Sequence, residues 1–309
     1  MEYQKGVYVR HPKREAWGIG IVTSDERAGI VPVFFENEAN IKKISLSHVE
    51  LEQVDDPATA KLFLENVLVD DNDKGVKDRQ PFPIKVNKFL ETFSGGFYGS
   101  VIEQHERKYK VNAHDKWVSL LNKEDFSRLI GEGDWDDLTA RIKTCYHINL
   151  MSQFEAIKFS DALKLPEAKQ RIATALFDLL YGNDSIQVRF KQYVDTLSAY
   201  ECDKWPTVTL PLYLRFPEQY MFVKPTVTQE AAANRGFDIK YDSKVNWSTY
   251  EHVLMFSKDL MNRLKAYNNP ALLPRDMIDI QNFMWCTFTK GWSAGAVIQA
   301  KRELEEKDS

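Results

Sequence analysis

Five charged residues in the carboxyl-terminal half of the sequence have types and spacing that could do chemistry. Arg215, Lys224, Arg275, Asp276 and Asp279 lie in segments rich in aromatic residues and prolines. Charged side chains are unexpected in such surroundings unless they are paired with one another or bind a ligand. Two interpretations stay open: internal salt bridges that hold helix junctions, which we favour, and a ligand-binding site formed by these five candidate binding residues.

Asp276 and Asp279 raise the question of a metal ion. Their spacing of three residues places both carboxylates on one face of a helix, where they could hold a divalent cation. Two acidic residues in the first turn of a helix also stabilise that helix through its dipole. The sequence contains no nuclease motif, phosphate-binding loop or nucleophile elbow. We therefore predict no catalytic residue, metal site or cofactor, and we favour a protein that is not an enzyme while leaving activity open.

A second set of candidate binding residues lies near the amino terminus. Arg10, His11, Lys13 and Arg14 form a short basic run that could contact phosphate or an acidic partner surface, although a solvated loop explains the same run. Trp17 follows directly before a glycine, and large aromatic residues in that position usually pack inward. We predict that Trp17 belongs to a core, with an exposed binding aromatic as the alternative.

The elements that must position Trp17 are short strands. Residues 5–54 contain five segments separated by turn-forming residues, in the order VYVRH, GIGIVTS, IVPVFFE, IKKISLS and VELEQV. Valines alternate with other residues at the period of two that is typical of half-buried antiparallel strands. Gly18 and Gly20 give the backbone the freedom that a sharply coiled strand needs. This pattern predicts a small SH3-like β-barrel.

The segment VRHPKREAWGIGIV, followed by VPVFFENEANIKKISLSHVELEQV, resembles the Tudor-like module at the carboxyl terminus of UvrD-type helicases. That module is related to the RNA-polymerase-interacting domains of CarD and of transcription-repair coupling factor. The resemblance covers about the first 55 residues and implies a Tudor/SH3-like barrel that binds a protein or nucleoprotein partner, such as RNA polymerase or a helicase-like component. Relative to that family, Arg14 to Ala16 resemble an insertion before Trp17.

The hydrophobic period changes from two to 3.6 at Asp56, which predicts a barrel over residues 1–55 and an all-α domain over residues 56–309. The fold class is therefore α+β. Pro57 predicts a helix start, and residues 69–83 form a polar loop. Further helix starts are predicted at Ser185 or Asp184, Thr226 or Thr228, Asn246 or Ser248, and Pro274.

Composition limits the cellular setting and the partners. The 309 residues include 41 Lys and Arg against 45 Asp and Glu, a net charge of −4, so strong duplex binding is not expected and nucleic-acid binding is predicted to be weak. Three widely spaced cysteines indicate a reducing compartment. The sequence shows no signal peptide or membrane-spanning run, which predicts a cytoplasmic protein that does not insert into membranes.

Two functions follow from these patterns. The first is a non-enzymatic adaptor whose barrel binds a protein partner in bacterial DNA transactions, while the helical domain docks a second partner. The alternative is a nucleic-acid-acting effector or enzyme of a phage-defence system with a composite site in the carboxyl-terminal helical block. That block is similar to a segment of uncharacterised bacterial proteins, some with restriction or defence-like neighbours. Convergence of its charges in one concave pocket would favour the alternative.

Overall fold

The computed structural model of the protein describes residues 3–68 and 79–307. Its amino-terminal part, which we call the module, is one antiparallel sheet of five strands in the order β4-β3-β2-β1-β5. The sheet is open, with β4 and β5 at its edges, so the predicted barrel is an approximate description. All five predicted strands are present: β1 Tyr8–Arg10, β2 Ile19–Val22, β3 Ile30–Phe35, β4 Lys42–Ser45 and β5 Glu52–Gln53.

Both faces of the sheet are covered. Side chains on one face form a small core of their own, which includes Val9, Val33 and Phe35. The opposite face packs against the helical part of the protein, because Phe34 is buried in the large helical core and Ile21 lies against it. Successive residues of β3 thus lie in different cores: Val33 and Phe35 in the core of the module, and Phe34 in the helical core. The module is held against the helices by its apolar residues.

The two early glycines have separate roles. Gly18 has a φ of +73°, a conformation that L side chains rarely adopt. A Cβ on Gly20 would lie 2.5 Å from the side chain of Val33, so the neighbouring strand approaches too closely for any larger residue. The predicted need for backbone freedom is confirmed at Gly18, whereas Gly20 is required by the close approach of the neighbouring strand.

The remainder of the described chain is helical, as predicted, and contains no sheet after residue 60. The continuous helical run that ends at Leu120 changes pitch at a π-helical segment, Ile102–Arg107, which leads directly into α3. The helices are α1 Lys61–Leu64, α2 Phe82–Thr92, α3 Lys108–Leu120, α4 Lys123–Glu132, α5 Trp135–Tyr146, α6 Gln153–Ala162, α7 Pro166–Tyr181, α8 Ile186–Ser198, α9 Trp205–Arg215, α10 Pro225–Arg235, α11 Trp247–Ala266, α12 Met277–Phe288 and α13 Ala294–Lys307.

Helix starts follow the predictions in part. Ser185 and Asn246 cap α8 and α11 through their side chains. The prediction of a threonine cap for α10 was wrong, because the helix begins at Pro225 without a side-chain cap. Pro274 does not open α12 either: Asp276 caps it, accepting hydrogen bonds from the backbone N–H groups of the first turn. Most of the predicted loop, residues 69–78, lies outside the described residues.

A buried polar junction joins the module to the helices. Glu36, directly after β3, accepts a hydrogen bond from Arg263 on α11 at 2.9 Å and another from the backbone of Ile19 at 2.8 Å. Arg235 on α10 donates to the backbone carbonyl of Glu36. Both arginines lie over the ring of Phe63. Ion pairs, cation–π contacts and apolar packing therefore hold the module and the helical body together.

None of the helices formed by residues 3–68 and 79–307 combines the length and the apolar character needed to cross a lipid bilayer.

Candidate functional site

The chain directly after the basic run forms a short 3₁₀ turn, Glu15–Trp17, which Arg14 precedes. The turn follows β1 and is held by a hydrogen bond from the Trp17 backbone N–H to the carbonyl of Arg14 at 2.9 Å. It places the indole at the boundary of the module core. This turn thus sets the position of the Trp17 side chain relative to the basic run.

Trp17 is half-buried, so it is neither a core residue alone nor a free surface aromatic. Its ring packs against Phe35 of the module core at a centroid distance of 5.1 Å. The cations of Arg14 and Lys42 lie 5.7 and 5.4 Å from the ring centroid. His11 contacts the ring in an edge-on geometry at 5.1 Å. These four residues, His11, Arg14, Trp17 and Lys42, form what we call the Trp17 surface.

The other members of the basic run differ in exposure. Arg10 and Lys13 are exposed, whereas His11 is 9 % exposed and accepts a hydrogen bond from the Lys13 backbone N–H through Nδ1. Burial lowers the pKa of His11, and the positive charges of Arg14 and Lys13 lower it further. The neutral form of His11 is therefore favoured over the charged form. The cationic character of this surface comes from the exposed lysines and arginines around the ring.

In the helical body, three of the predicted charges meet in one buried network. Arg107 of the π-helical segment donates to Asp276 at 2.6 and 2.8 Å and to Asp279 at 2.9 Å. Arg275 also donates to Asp279, at 2.8 Å, and to Glu103. The Asp279 side chain is fully buried. We call these five residues the ion network; it occupies both aspartates that could have held a cation.

Arg215 and Lys224 lie outside this network. Arg215 donates to the hydroxyl of Tyr181 at 2.9 Å and covers the ring of Phe216. The ammonium of Lys224 donates to the backbone carbonyl of Leu150 at 2.9 Å. Lys224 is thus paired with a backbone carbonyl, whereas Arg275 is paired with carboxylates. The five charges are therefore divided among three separate sets of contacts: the ion network, the hydroxyl of Tyr181 and the carbonyl of Leu150.

A second polar cluster, the Lys110 centre, adjoins the ion network along the same two elements. The ammonium of Lys110 is completely buried and donates to Glu106, Gln281 and Asn282. Burial lowers the pKa of Lys110 more than the neighbouring carboxylate of Glu106 raises it. Glu106 in turn accepts a hydrogen bond from the indole of Trp292 at 2.7 Å. All three ammonium protons and both carboxylate oxygens therefore have partners.

Sequence reasoning missed Glu103, Glu106, Arg107 and Lys110, although a signal was present. These residues repeat at the three- and four-residue spacing of one helix face within EQHERKYK. A stripe made only of charged residues is usually interpreted as solvent-exposed. Here the stripe faces the polar residues at the start of α12, so the side chains of the two segments are partners of one another.

A cavity of about 220 Å³ lies beside the Lys110 centre. The π-helical segment, α3 and α12 form one side, and the chain before α6 and the start of α10 form the other. Aromatic and aliphatic side chains alternate with polar ones around it. Its lining residues are His105, Glu106, Tyr109, Lys110, Asn149, Leu150, Phe222, Lys224, Val227, Gln281 and Trp285. Lys224 is the one residue of the predicted set that it includes.

Comparison with known families gives a match for the module. Residues 3–54 match a family described as "Protein of unknown function (DUF3553)". The matched range coincides with the five-stranded sheet and ends before α1. No curated protein and no solved structure matches the chain.

Proposed function

We propose that the protein is a non-enzymatic adaptor whose module binds a protein or nucleoprotein partner in bacterial DNA transactions, such as RNA polymerase or a helicase-like component. The observation that carries this proposal is the arrangement of Trp17, with one side of its ring against Phe35 and two cations held over the ring. Aromatic and arginine side chains held in this way are the residues that most often dominate the energy of protein interfaces.

The chemistry of the Trp17 surface favours an acidic protein partner over DNA. Arg14 is exposed, whereas Lys42 also pairs with Glu38 at 2.8 Å. Over residues 1–55, seven lysines and arginines stand against nine acidic residues, so the module as a whole does not attract a phosphate backbone strongly. A carboxylate set beside an apolar side chain would meet both Arg14 and the indole ring.

The attachment of the module to the helical body makes such binding useful to an adaptor. Phe34 lies in the helical core, and the pair between Glu36 and Arg263 is largely buried. A partner held on the Trp17 surface would therefore keep a defined orientation relative to the helices. The same rigidity lets one chain hold two partners at a set distance.

A groove on α6 supports a second docking surface. Phe154 is 85 % exposed, the highest value among the large apolar side chains of the described chain, and Ile157 and Leu165 lie with it along one side. Contiguous exposed apolar residues of this kind mark interaction sites. The apolar face of a helix from a protein partner, with anchors at helical spacing, is the occupant that we propose.

The test is affinity purification from the native host with and without nuclease treatment. Trp17→Ala and Arg14→Glu should each lose the main partner, whereas Lys191→Glu, a charge reversal on exposed α8, should retain it. Capture that survives nuclease treatment supports a protein partner. Retention of the partner by both module variants would contradict the proposal, and loss of the partner after nuclease treatment would show that nucleic acid bridges it to the module.

The nucleic-acid-acting effector remains a second candidate because Lys224 lies at a cavity of the helical block. The paired state of Arg275, Asp276 and Asp279 gives it no further support, since these side chains neutralise one another. We expect only weak and non-specific binding of duplex DNA. Nanomolar affinity at physiological salt with a steep salt dependence, measured by fluorescence anisotropy, would favour the effector instead.

A further inference from the structure

The cavity beside the Lys110 centre has features of a ligand site that are independent of the adaptor function. It lies where the chain departs from regular helix: His105 and Glu106 belong to the π-helical segment, and Tyr109 and Lys110 follow in the first turn of α3. π-Helical turns occur frequently at functional sites. The cavity therefore has an irregular wall that the surrounding packing maintains.

The Lys110 centre closes one side of the cavity without requiring a ligand. Because Lys110 only donates hydrogen bonds, its contact with Gln281 must be to the amide oxygen Oε1. The amide nitrogen of Gln281 is then directed away from Lys110. Glu106, the one carboxylate of the lining, has both oxygens engaged by Lys110 and Trp292. The acceptors of this wall are occupied, and a donor remains.

The lining contains donors that have no partner within the protein. Among residues 3–68 and 79–307, no hydrogen bond forms from the amide nitrogen of Gln281, the hydroxyl of Tyr109 or the indole nitrogen of Trp285. The Nε2 atom of His105 is buried without a hydrogen bond, and it is a donor or an acceptor according to the tautomer of the ring. The three donors favour a ligand that supplies acceptor oxygens.

The charges around the cavity favour a ligand with a negative charge. Lys110 and Glu106 compensate each other, which leaves Lys224 as a cation with no acidic partner in the described chain. The first turn of α10, which includes the lining residue Val227, has no side-chain cap, so its positive end adds to the field at this wall. A negative charge bound beside Lys224 would be stabilised by both.

The volume of the cavity and its apolar walls limit the size and the shape of the ligand. Leu150, Phe222 and Val227 are apolar, and the rings of Tyr109 and Trp285 offer aromatic surface. An apolar cavity of about 150 Å³ holds a benzene molecule, whereas sites for drug-sized ligands begin at about 300 Å³. We propose that this cavity binds a small organic anion with a single ring, whose carboxylate lies at Lys224 and whose ring lies between the apolar walls.

Binding of matched carboxylate and neutral probes to the full chain tests this proposal. Ligand-observed NMR would compare benzoate with benzamide, nicotinate with nicotinamide, and orotate with uracil. At least one carboxylate should bind with a Kd of about 1 mM or lower, and about tenfold more tightly than its neutral counterpart. The absence of carboxylate binding up to about 10 mM, or equal affinity for the neutral probes, would overturn the proposal.

Two variants place the binding in this cavity. Lys224→Met removes the charge but keeps most of the length of the side chain, and it should reduce carboxylate affinity about tenfold. Lys258→Met, at an exposed position of α11, is the matched control and should leave affinity unchanged. Unchanged affinity in Lys224→Met would show that the probes bind elsewhere and would overturn the assignment. Loss of partner capture by the Trp17 variants is a separate measurement, so either proposal can fail alone.

Discussion

The Trp17 surface and the ion network each place an arginine beside an aromatic ring, Arg14 beside Trp17 and Arg275 beside Tyr98, yet water reaches the two regions to different extents. Arg14 reaches solvent above Trp17, while the Arg107 side chain is 11 % exposed and is held by two carboxylates. Charges in water can be exchanged for a partner's charges at little cost, whereas buried charges are committed to their present partners. Substitutions in the first region should change binding, and those in the second should change stability.

The largest effect is expected for Arg107→Met. The substitution leaves Asp276 without its arginine and Asp279 with Arg275 alone, so buried carboxylates lose their compensation. The free energy of unfolding should fall by about 3–5 kcal/mol, measured by urea denaturation. Arg128→Met, at an exposed pair on α4, serves as the control and should change it by less than about 1 kcal/mol. A change below about 1 kcal/mol in Arg107→Met would show that the network does not determine stability.

Arg275→Met tests whether the outer part of the ion network is architectural. Arg275 is 29 % exposed, and Arg107 still holds Asp279 in its absence. We expect the free energy of unfolding to change by about 1–3 kcal/mol in either direction. Asp279→Asn should be measured beside it. If both variants kept the wild-type melting temperature and lost biological function, the network would be a site and the comparison would fail.

Alkaline pH should weaken the helical body through its buried tyrosines. Burial raises the pKa of Tyr213, which lies near Asp276 and Arg107, well above its usual value near 10. The folded state therefore keeps this proton where the unfolded state loses it. Stability is fully present below about pH 10 and should fall above it by about 1.4 kcal/mol per pH unit for each such tyrosine.

Tyr213→Phe provides the matched measurement for this pH effect. Urea denaturation above about pH 10 should show that the free energy of unfolding of Tyr213→Phe falls by about 1.4 kcal/mol less per pH unit than that of the wild type. Between about pH 7 and 9, the free energies of the two proteins should depend on pH in the same way. Equal alkaline slopes in both proteins would mean that Tyr213 ionises similarly in the folded and unfolded states.

The smallest change in stability is expected for Phe154→Ser. Because this side chain is 85 % exposed, its loss removes little buried area, and the free energy of unfolding should stay within about 0.5 kcal/mol. Capture of the second partner from the native host should nevertheless be lost. Val188→Ser, at an exposed apolar position on α8, is the control that should retain it. Retained capture by Phe154→Ser would remove the α6 groove from the adaptor proposal.

Much of the local structure could be predicted because it depends on residues close together in the sequence. Alternation at a period of two located all five strands, and Asn246 marked the start of α11 by its capping side chain. Gly18 was recognisable because few other residues adopt its backbone conformation. These features arise from contacts within a few residues, which composition and spacing record directly.

The candidate sites depended on contacts between distant parts of the chain. Arg107 meets Asp276 across 169 residues, and Lys110 meets Gln281 across 171. The spacing of charges on one helix cannot show which other helix covers it, so a buried charged face and a solvated one look alike in sequence. By itself, the sequence determined the strands, most of the helices and the candidate charges. Only the tertiary structure decided which charges are buried, because burial is set by the elements packed against them.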